Sequence, residues 1–489
     1  MILKLNKYQK EAINKALKED LFLIHGPFGT GKTTVLVALI LELIKKGKKL
    51  LVTADSNTAV DNIVERLSQF TDKIVRVGNI TRVSGRAKSF YLDELVKNNK
   101  FFSKLQEVKE KVDYMLKKRD AFQKPIPSLK RGLSDNQILR LAFVGKGARG
   151  ISAQLIHSMA NWIKYNKEYE VLREEYNLIL NQIINDILKE KQVILTTNSS
   201  SALEILENQI FDYLIHDEAS QSTEPSSIIP LVKCKKAIFA GDHKQLPPTV
   251  ICEENEKMKV SLFERLMLLN KPSYQLRIQY RMNETLMEFP NKMFYNNSLI
   301  ADDSVKDIKL SDLNEKIKEE NDLVVNDIPL VFIDTEGKEK EKIAFSKSKY
   351  NLFEVELVDF VIGKLINFVK EEQISVISPY KEQVYKLKEK LKDKNIEVNT
   401  IDGFQGRENE VIILSLVRSN ENEEIGFLKD YRRLNVALTR AKRKLIIIGD
   451  KKTLETDKVY KELFKFIKKK EKSKVEFHKT KLIKASELL

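Results

Sequence analysis

Short hydrophobic runs, each flanked by charge, recur along the chain and alternate with longer segments of helical period. Runs at 21–24, 49–52, 75–78, 193–200, 211–216 and 237–240 predict strands, as do those at 330–333, 375–377, 411–416 and 445–448. Segments 5–18 and 34–43 have helical spacing, and Asn6 is a good N-cap for the first. Strands alternating with helices predict an α/β fold built on parallel sheets. From about residue 86 to 190 the texture changes. Glycine is scarce outside 132–150, Lys and Glu alternate over 104–118, and 165–188 reads as a second long helix. This predicts a helical insertion interrupting the first α/β domain, with Trp162 packed inside it. The expected organisation is 1–84 with 191–270 as the first domain, 85–190 as the insertion, 271–450 as the second domain, and 451–489 as a basic helical tail, a frayed terminus being favoured over a basic arm on nucleic acid.

The strand at 21–24 runs into Gly26-Pro27-Phe28-Gly29-Thr30-Gly31-Lys32-Thr33, which fits G-x-x-x-x-G-K-[ST], and a helix follows. Glycines let backbone N–H groups turn inward around phosphate oxygens, and the helix start presents its positive end to them. Lys32 would reach the β- and γ-phosphates and the Thr33 hydroxyl would hold Mg²⁺. The strand at 211–216 ends in Asp217-Glu218. Asp217 is expected to hold the same Mg²⁺ and Glu218 to deprotonate the attacking water. His216 is expected to pack on the sheet. Gln9 can offer acceptor and donors to an adenine edge, and Tyr280 can stack on it. Gln245, after the strand at 237–240, can sense the γ-phosphate, while Pro247 stiffens a loop beside the substrate strand. The second domain has no phosphate loop of its own but carries Arg281 and Arg440, expected as fingers reaching another domain's triphosphate. Small polar residues after the strand at 49–52, among them Ser56 and Asn57, suit a sugar-phosphate backbone or ordinary helix capping.

The chain has 489 residues, enough for about three domains. Its formal net charge of +15 points to a polyanionic partner, most simply nucleic acid. Two isolated cysteines, Cys234 and Cys252, give neither a zinc site nor a disulfide framework, as in a reduced cytoplasmic protein. No apolar run is long enough for a membrane span.

Together, residues 26–33, 56–61, 217–221, 241–248, 279–282, 402–408, 417–420 and 433–441 resemble the motifs of superfamily 1 helicases, more narrowly the up-frameshift and immunoglobulin-mu-binding group with its archaeal relatives. The resemblance covers about 5–84 and 191–450. It implies two tandem RecA-like P-loop domains, the first interrupted by the helical insertion, with ATP between them and single-stranded DNA or RNA across the top. It places Gly26, Pro27, Gly29, Thr30, Gly31, Lys32, Thr33 and Thr34 around the phosphates, Gln9 and Tyr280 at adenine, and Gly406 and Glu408 near the ribose. Gln245, Arg281 and Arg440 would touch the γ-phosphate. Ser56, Asn57, Thr197, Pro247 and Thr400 would contact nucleic acid. The implied enzyme is an ATP hydrolase, a monomeric intracellular helicase or translocase moving 5′ to 3′ with ATP and Mg²⁺. In that family a stalk and small β-barrel usually precede the segment at Gln9. Only four residues precede Leu5 here, so three expectations stand side by side: this lineage lacks the barrel, a protein partner supplies it, or the chain is a fragment. Asp55 stands where that family commonly has proline. Two other readings stay open: an ATP-gated clamp that remodels nucleic-acid complexes without unwinding, and a P-loop phosphotransferase with a small-molecule acceptor.

Overall fold

The computed structural model describes residues 3–78, 85–250, 256–320 and 322–489. Cys252 lies outside them. The chain forms two compact units, one of Met1–Glu42 with Tyr213–Leu489 and one of Leu43–Asp212.

The first stretch carries helix α1 (Lys7–Ala16), strand β1 (Leu21–His25) and helix α2 (Lys32–Lys45). Asn6 and Gln9 form a reciprocal capping box. Asn6 Oδ1 accepts from Gln9 N at 2.9 Å, and Gln9 Oε1 accepts from Asn6 N at 3.1 Å. Helix α2 starts at Lys32 itself, so the phosphate loop feeds directly into its first turn.

In the unit Leu43–Asp212, strands β2 (Leu50–Ala54), β3 (Ile74–Arg76) and β4 (Val193–Thr197) are parallel, with β4 between the other two. Helix α3 (Asn57–Leu67) follows β2. Between β3 and β4 the described chain is helical: α4 (Leu92–Lys97), α5 (Phe102–Asp120), α6 (Pro127–Lys130), α7 (Asp135–Phe143) and α8 (Ala153–Glu190). The 38 residues of α8 span about 57 Å, and the helix packs along α5 and α7. It begins before residue 165 because Ser152 caps it, its Oγ accepting from Leu155 N at 3.2 Å. Trp162 sits half-buried on α8 with the Arg119 guanidinium 5.5 Å from its ring.

In the other unit, β1 pairs in parallel with β6 (Cys234–Gly241) on one side and β7 (Ser273–Gln275) on the other, and β5 (Phe211–His216) lies beyond β6. The first sheet therefore keeps the chain past residue 270. His216 is fully buried at the end of β5, its ring 5.4 Å from Phe239. Burial pushes its pKa down to about 3, so it stays neutral. Cys234 is a free, half-buried thiol that burial pushes up to about 12.

Strands β8 (Ile278–Gln279) and β9 (Ile300–Ala301) form a short parallel pair. A second sheet is built from β10 (Leu330–Asp334), β13 (Ile374–Ser378), β14 (Glu397–Thr400), β15 (Asn409–Ser415), β16 (Ala441–Gly449) and β17 (Thr480–Lys484), with β11 (Lys342–Ile343) and β12 (Lys349–Tyr350) as a side hairpin. Its order is β14-β13-β15-β16-β10-β17, parallel throughout. The central strands are buried on both faces, which explains their unbroken Val/Ile/Leu runs.

The tail expected to fray does not. Helix Lys458–Lys470 buries Val459, Tyr460, Leu463, Phe464 and Ile467. After it, β17 pairs with all five residues of β10. The lysines that make the segment read as solvated occupy the outward positions of an amphipathic helix and an edge strand. No helix among the described residues is long and apolar enough to cross a membrane.

Candidate active site

Strand β1 delivers the chain to the phosphate loop with Ile24 and His25 buried. Gly29 and Gly31 adopt φ of 65° and 76°, the left-handed region that favours glycine. Both are also pressed by neighbours. A Cβ on Gly29 would lie 2.7 Å from Arg281 Cβ, and one on Gly31 would lie 2.7 Å from Gln9 Nε2. Thr30 Oγ1 donates to Pro27 O at 2.7 Å, closing the turn, and Gln9 Nε2 donates to Thr30 O at 3.1 Å. Both ends of the Gln9 amide thus have protein partners, and the side chain is buried. Thr33 and Thr34 are half-buried in the first turn of α2.

Lys32 Nζ lies 2.6 Å from Glu218 Oε1 and 3.4 Å from Asp217 Oδ1. Burial pulls the ammonium down, but the two carboxylates outweigh it and hold the pKa above its ordinary value. Asp217 is buried at the end of β5, and its Oδ1 accepts from Glu218 N at 2.8 Å. Glu218 takes φ of 50°, a strained conformation for a non-glycine residue and one frequent at functional sites. Gln221 Nε2 donates to its Oε2 at 2.6 Å.

The two arginines stand beside this loop. Arg281 pairs through Nε with Glu408 and donates from Nη1 to Thr439 O at 2.9 Å. Arg440 donates to Val436 O at 2.9 Å, Arg407 O at 3.2 Å and Gln245 Oε1 at 3.1 Å. Those acceptors are all neutral oxygens. Burial and the nearby Arg281 both oppose the Arg440 charge, lowering its pKa to about 9. Glu218 and Glu408 favour the charge but do not offset burial and Arg281. Burial raises the Glu408 carboxyl, but Arg281 and Lys442 outweigh it and lower its pKa. Tyr280 is 40% exposed, and Asn6 Nδ2 donates to its hydroxyl at 2.9 Å. Gly406 has φ of 74° and open space where a Cβ would sit.

Behind Gln245 lies a network that sequence reasoning missed. Asp242 accepts four hydrogen bonds: from His25 Nε2 at 3.0 Å, Lys244 N at 3.1 Å, Gln245 Nε2 at 2.7 Å and Tyr295 OH at 2.7 Å. Burial would raise its pKa, but these donors drive it down to about 2. Asn435 Nδ2 donates to Tyr295 OH at 2.8 Å. His25, Asp242 and His243 bring possible metal-ligand atoms within 4.8 Å of one another. Four donors already fill the lone pairs of Asp242, which makes the cluster a hydrogen-bonded hub rather than an ion cage. Asp242 lies within the polar stretch 241–248. His25 and Tyr295 carry no sequence signal of their own.

The candidate nucleic-acid contacts are more dispersed. Ser56 caps α3, its Oγ accepting from Ala59 N at 3.2 Å, and Asn57 Oδ1 accepts from Arg76 at 2.7 Å. Thr197 Oγ1 bonds Ser200 Oγ at 2.9 Å. These three belong to the unit Leu43–Asp212. Pro247 and Thr400 belong to the other unit, both half-buried, and Thr400 Oγ1 accepts from Gly403 N at 3.1 Å.

Two families described as AAA domain match the chain, one over residues 4–253 and the other over 258–452. The chain is 48% identical over 489 residues to an uncharacterised ATP-dependent helicase of Methanocaldococcus jannaschii, covering 98% of this chain and 72% of that one. It belongs to the up-frameshift-like group of superfamily 1 helicases. Within that group it is 36% identical to the DNA polymerase alpha-associated DNA helicase A of Saccharomyces cerevisiae, over 92% of this chain and 65% of the relative. It is 34% identical to the DNA-binding protein SMUBP-2 of Mesocricetus auratus, over 92% of this chain and 43% of the relative. The chain therefore spans between under half and nearly three quarters of the lengths of these relatives.

Proposed function

We propose that this chain is an intracellular ATP hydrolase that translocates 5′ to 3′ on single-stranded DNA or RNA and can drive duplex unwinding. In this reading 1–84 with 191–270 and 271–450 are two RecA-like domains, with β7 added to the first and β17 to the second, 85–190 is the insertion, and the protein acts as a monomer. Lys32 holds the β- and γ-phosphates, Glu218 is the general base, and Gln245, Arg281 and Arg440 stabilise the γ-phosphate. Tyr280 and Gln9 border the adenine, the latter through the loop backbone it supports, and Gly406 and Glu408 border the ribose. Ser56, Asn57, Thr197, Pro247 and Thr400 contact the strand.

The observation that carries this reading is the juxtaposition of the Arg281 Cβ with Gly29 of the phosphate loop and of Arg440 with Gln245 at 3.1 Å. Arg440, immediately before β16 in the second sheet, and Arg281, just after β8, thus stand at the loop of the first sheet. The donor set suits Mg²⁺, since the Thr33 hydroxyl and the Asp217 carboxylate are hard oxygen ligands; the ion would neutralise phosphate charge. An entering triphosphate competes with the two carboxylates for Lys32. Glu218 is then released to orient water and take its proton. Loss of the γ-phosphate removes the anion that Arg281 and Arg440 share, and the contact between the two sheets loosens.

The test is Glu218→Gln. It should leave the ATP dissociation constant nearly unchanged and lower turnover by roughly 10²-fold or more, the scale of a general base. Retained turnover refutes the assignment. Strand displacement from a 5′ overhang but not a 3′ overhang is the expected polarity.

A further inference from the structure

Helix α7 buries one apolar face and leaves two further apolar side chains exposed. Ile138 turns inward with Leu141 and Ala142 and joins Leu133, Ile156 and Met159 in a small core at the end of the insertion. On another face, Asn136, Leu139, Arg140 and Phe143 follow the i, i+3, i+4, i+7 spacing of a single stripe, and all four are exposed. Leu139 is 38% exposed, Phe143 92% and the adjoining Val144 57%. The apolar side chains on this face, Leu139, Phe143 and Val144, all face solvent.

The surroundings are strongly cationic. Residues 121–152 hold Lys124, Lys130, Arg131, Arg140, Lys146 and Arg149 against a single acid, Asp135, which pairs with Lys130 at 2.6 Å. Arg131 and Arg149 clasp each other, each Nη1 donating to the other's carbonyl at 3.0 and 2.9 Å. Both take left-handed φ, 44° and 54°, and each is followed by a glycine. The clasp uses one of five N–H donors on each guanidinium. It fixes two cations where a flexible loop would let them disperse.

An exposed ring flanked by cations matches a strand whose bases offer flat apolar faces and whose backbone is anionic. A protein seam of aliphatic side chains would match the ring but leave the cations without partners. We propose that this end of the insertion is a separate contact for single-stranded nucleic acid, with a base stacked on Phe143 and phosphates paired to Arg140, Lys146, Arg131 and Arg149. The inference rests on the nucleic-acid reading given above.

The test uses the full chain and labelled oligothymidylate or oligouridylate, with anisotropy followed across a salt series. Phe143→Ala should raise the dissociation constant at least about fivefold, the lower range of stacking loss. Phe143→Trp should bind as the wild type does. The double variant Arg140→Ala/Lys146→Ala should reduce the slope of log K against log salt by about 1.4, near 0.7 per lost phosphate contact on a single strand. ATP affinity and basal hydrolysis should be unchanged in all three, since none of these residues lines the phosphate loop. If the wild type binds strands and Phe143→Ala binds equally well, the stacking site is wrong and the function stands. If the wild type binds no strand, both fall together. Loss of a protein partner with strand affinity unchanged would overturn the inference in favour of a protein surface.

Discussion

Four donors converge on the buried carboxylate of Asp242, and two of them fix chemistry elsewhere. Gln245 Nε2 is held by Asp242, so its Oε1 is turned toward Arg440. Tyr295 bridges Asp242 to Asn435, on the helix that precedes Arg440. Tyr295→Phe keeps the ring but removes the bridge. It should lower kcat roughly tenfold, about 1.4 kcal/mol, with KM for ATP within about twofold, because the lost hydrogen bond orients rather than binds. Steady-state kinetics with a melting-temperature control checks this; unchanged kcat would make the network purely structural. Glu354 gives a separate residue-scale prediction. Burial pushes its pKa up to about 8, although Ser415 Oγ and Val417 N donate to it at 2.6 and 3.0 Å. The folded state keeps this proton to higher pH than the unfolded chain, whose carboxyl titrates near 4.5. Stability from this group is therefore full below about 4.5 and lost as pH rises through about 8. Glu354→Gln should flatten that decline, seen as a smaller fall in Tm between acidic and alkaline buffer than in the wild type.

Among the elements, β17 departs furthest from its sequence. Lys481 and Lys484 flank Leu482 and Ile483 in a lysine-rich terminus, and such a pattern reads as solvated tail. In the structure Ile483 is 1% exposed and the strand completes the second sheet. Ile483→Ala should cost about 2–5 kcal/mol, the range for a truncated core residue; a frayed terminus would show no change in a denaturant melt. Elements whose signal is local were legible. The strand, glycine turn and helix at 21–45 are contiguous, and the acid pair directly follows the short, mostly apolar strand β5. Long-range pairing was not legible. Gln245 and Arg440 are 195 residues apart, and Tyr295 has no periodicity or motif that ties it to Asp242. Edge strands such as β14 and β17 are short and half-polar, so they lack the apolar run that marks a central strand. Helix α8 starts well before the pattern at 165–188 because a serine cap is a weak cue beside a long charged pattern.

At the scale of the whole molecule, the components around the phosphate loop all lie in the unit formed by Met1–Glu42 and Tyr213–Leu489, although they are spread over more than four hundred positions of sequence. That unit contains two parallel sheets, one ending in the loop and acid pair, the other sending Arg440 toward them. The net charge of +15 favours a polyanionic partner across the molecule. A site completed by Arg440 from the second sheet responds to anything that brings the two sheets together, and in the proposed function the bound strand is that agent. The central claim is that ATP hydrolysis is coupled to single-stranded nucleic acid. The most direct measurement is the steady-state ATPase rate of the full chain titrated with matched single-stranded DNA and RNA. The account predicts a saturable rise with at least one of them, abolished in Glu218→Gln. A rate that stays flat through saturating concentrations of both would contradict it.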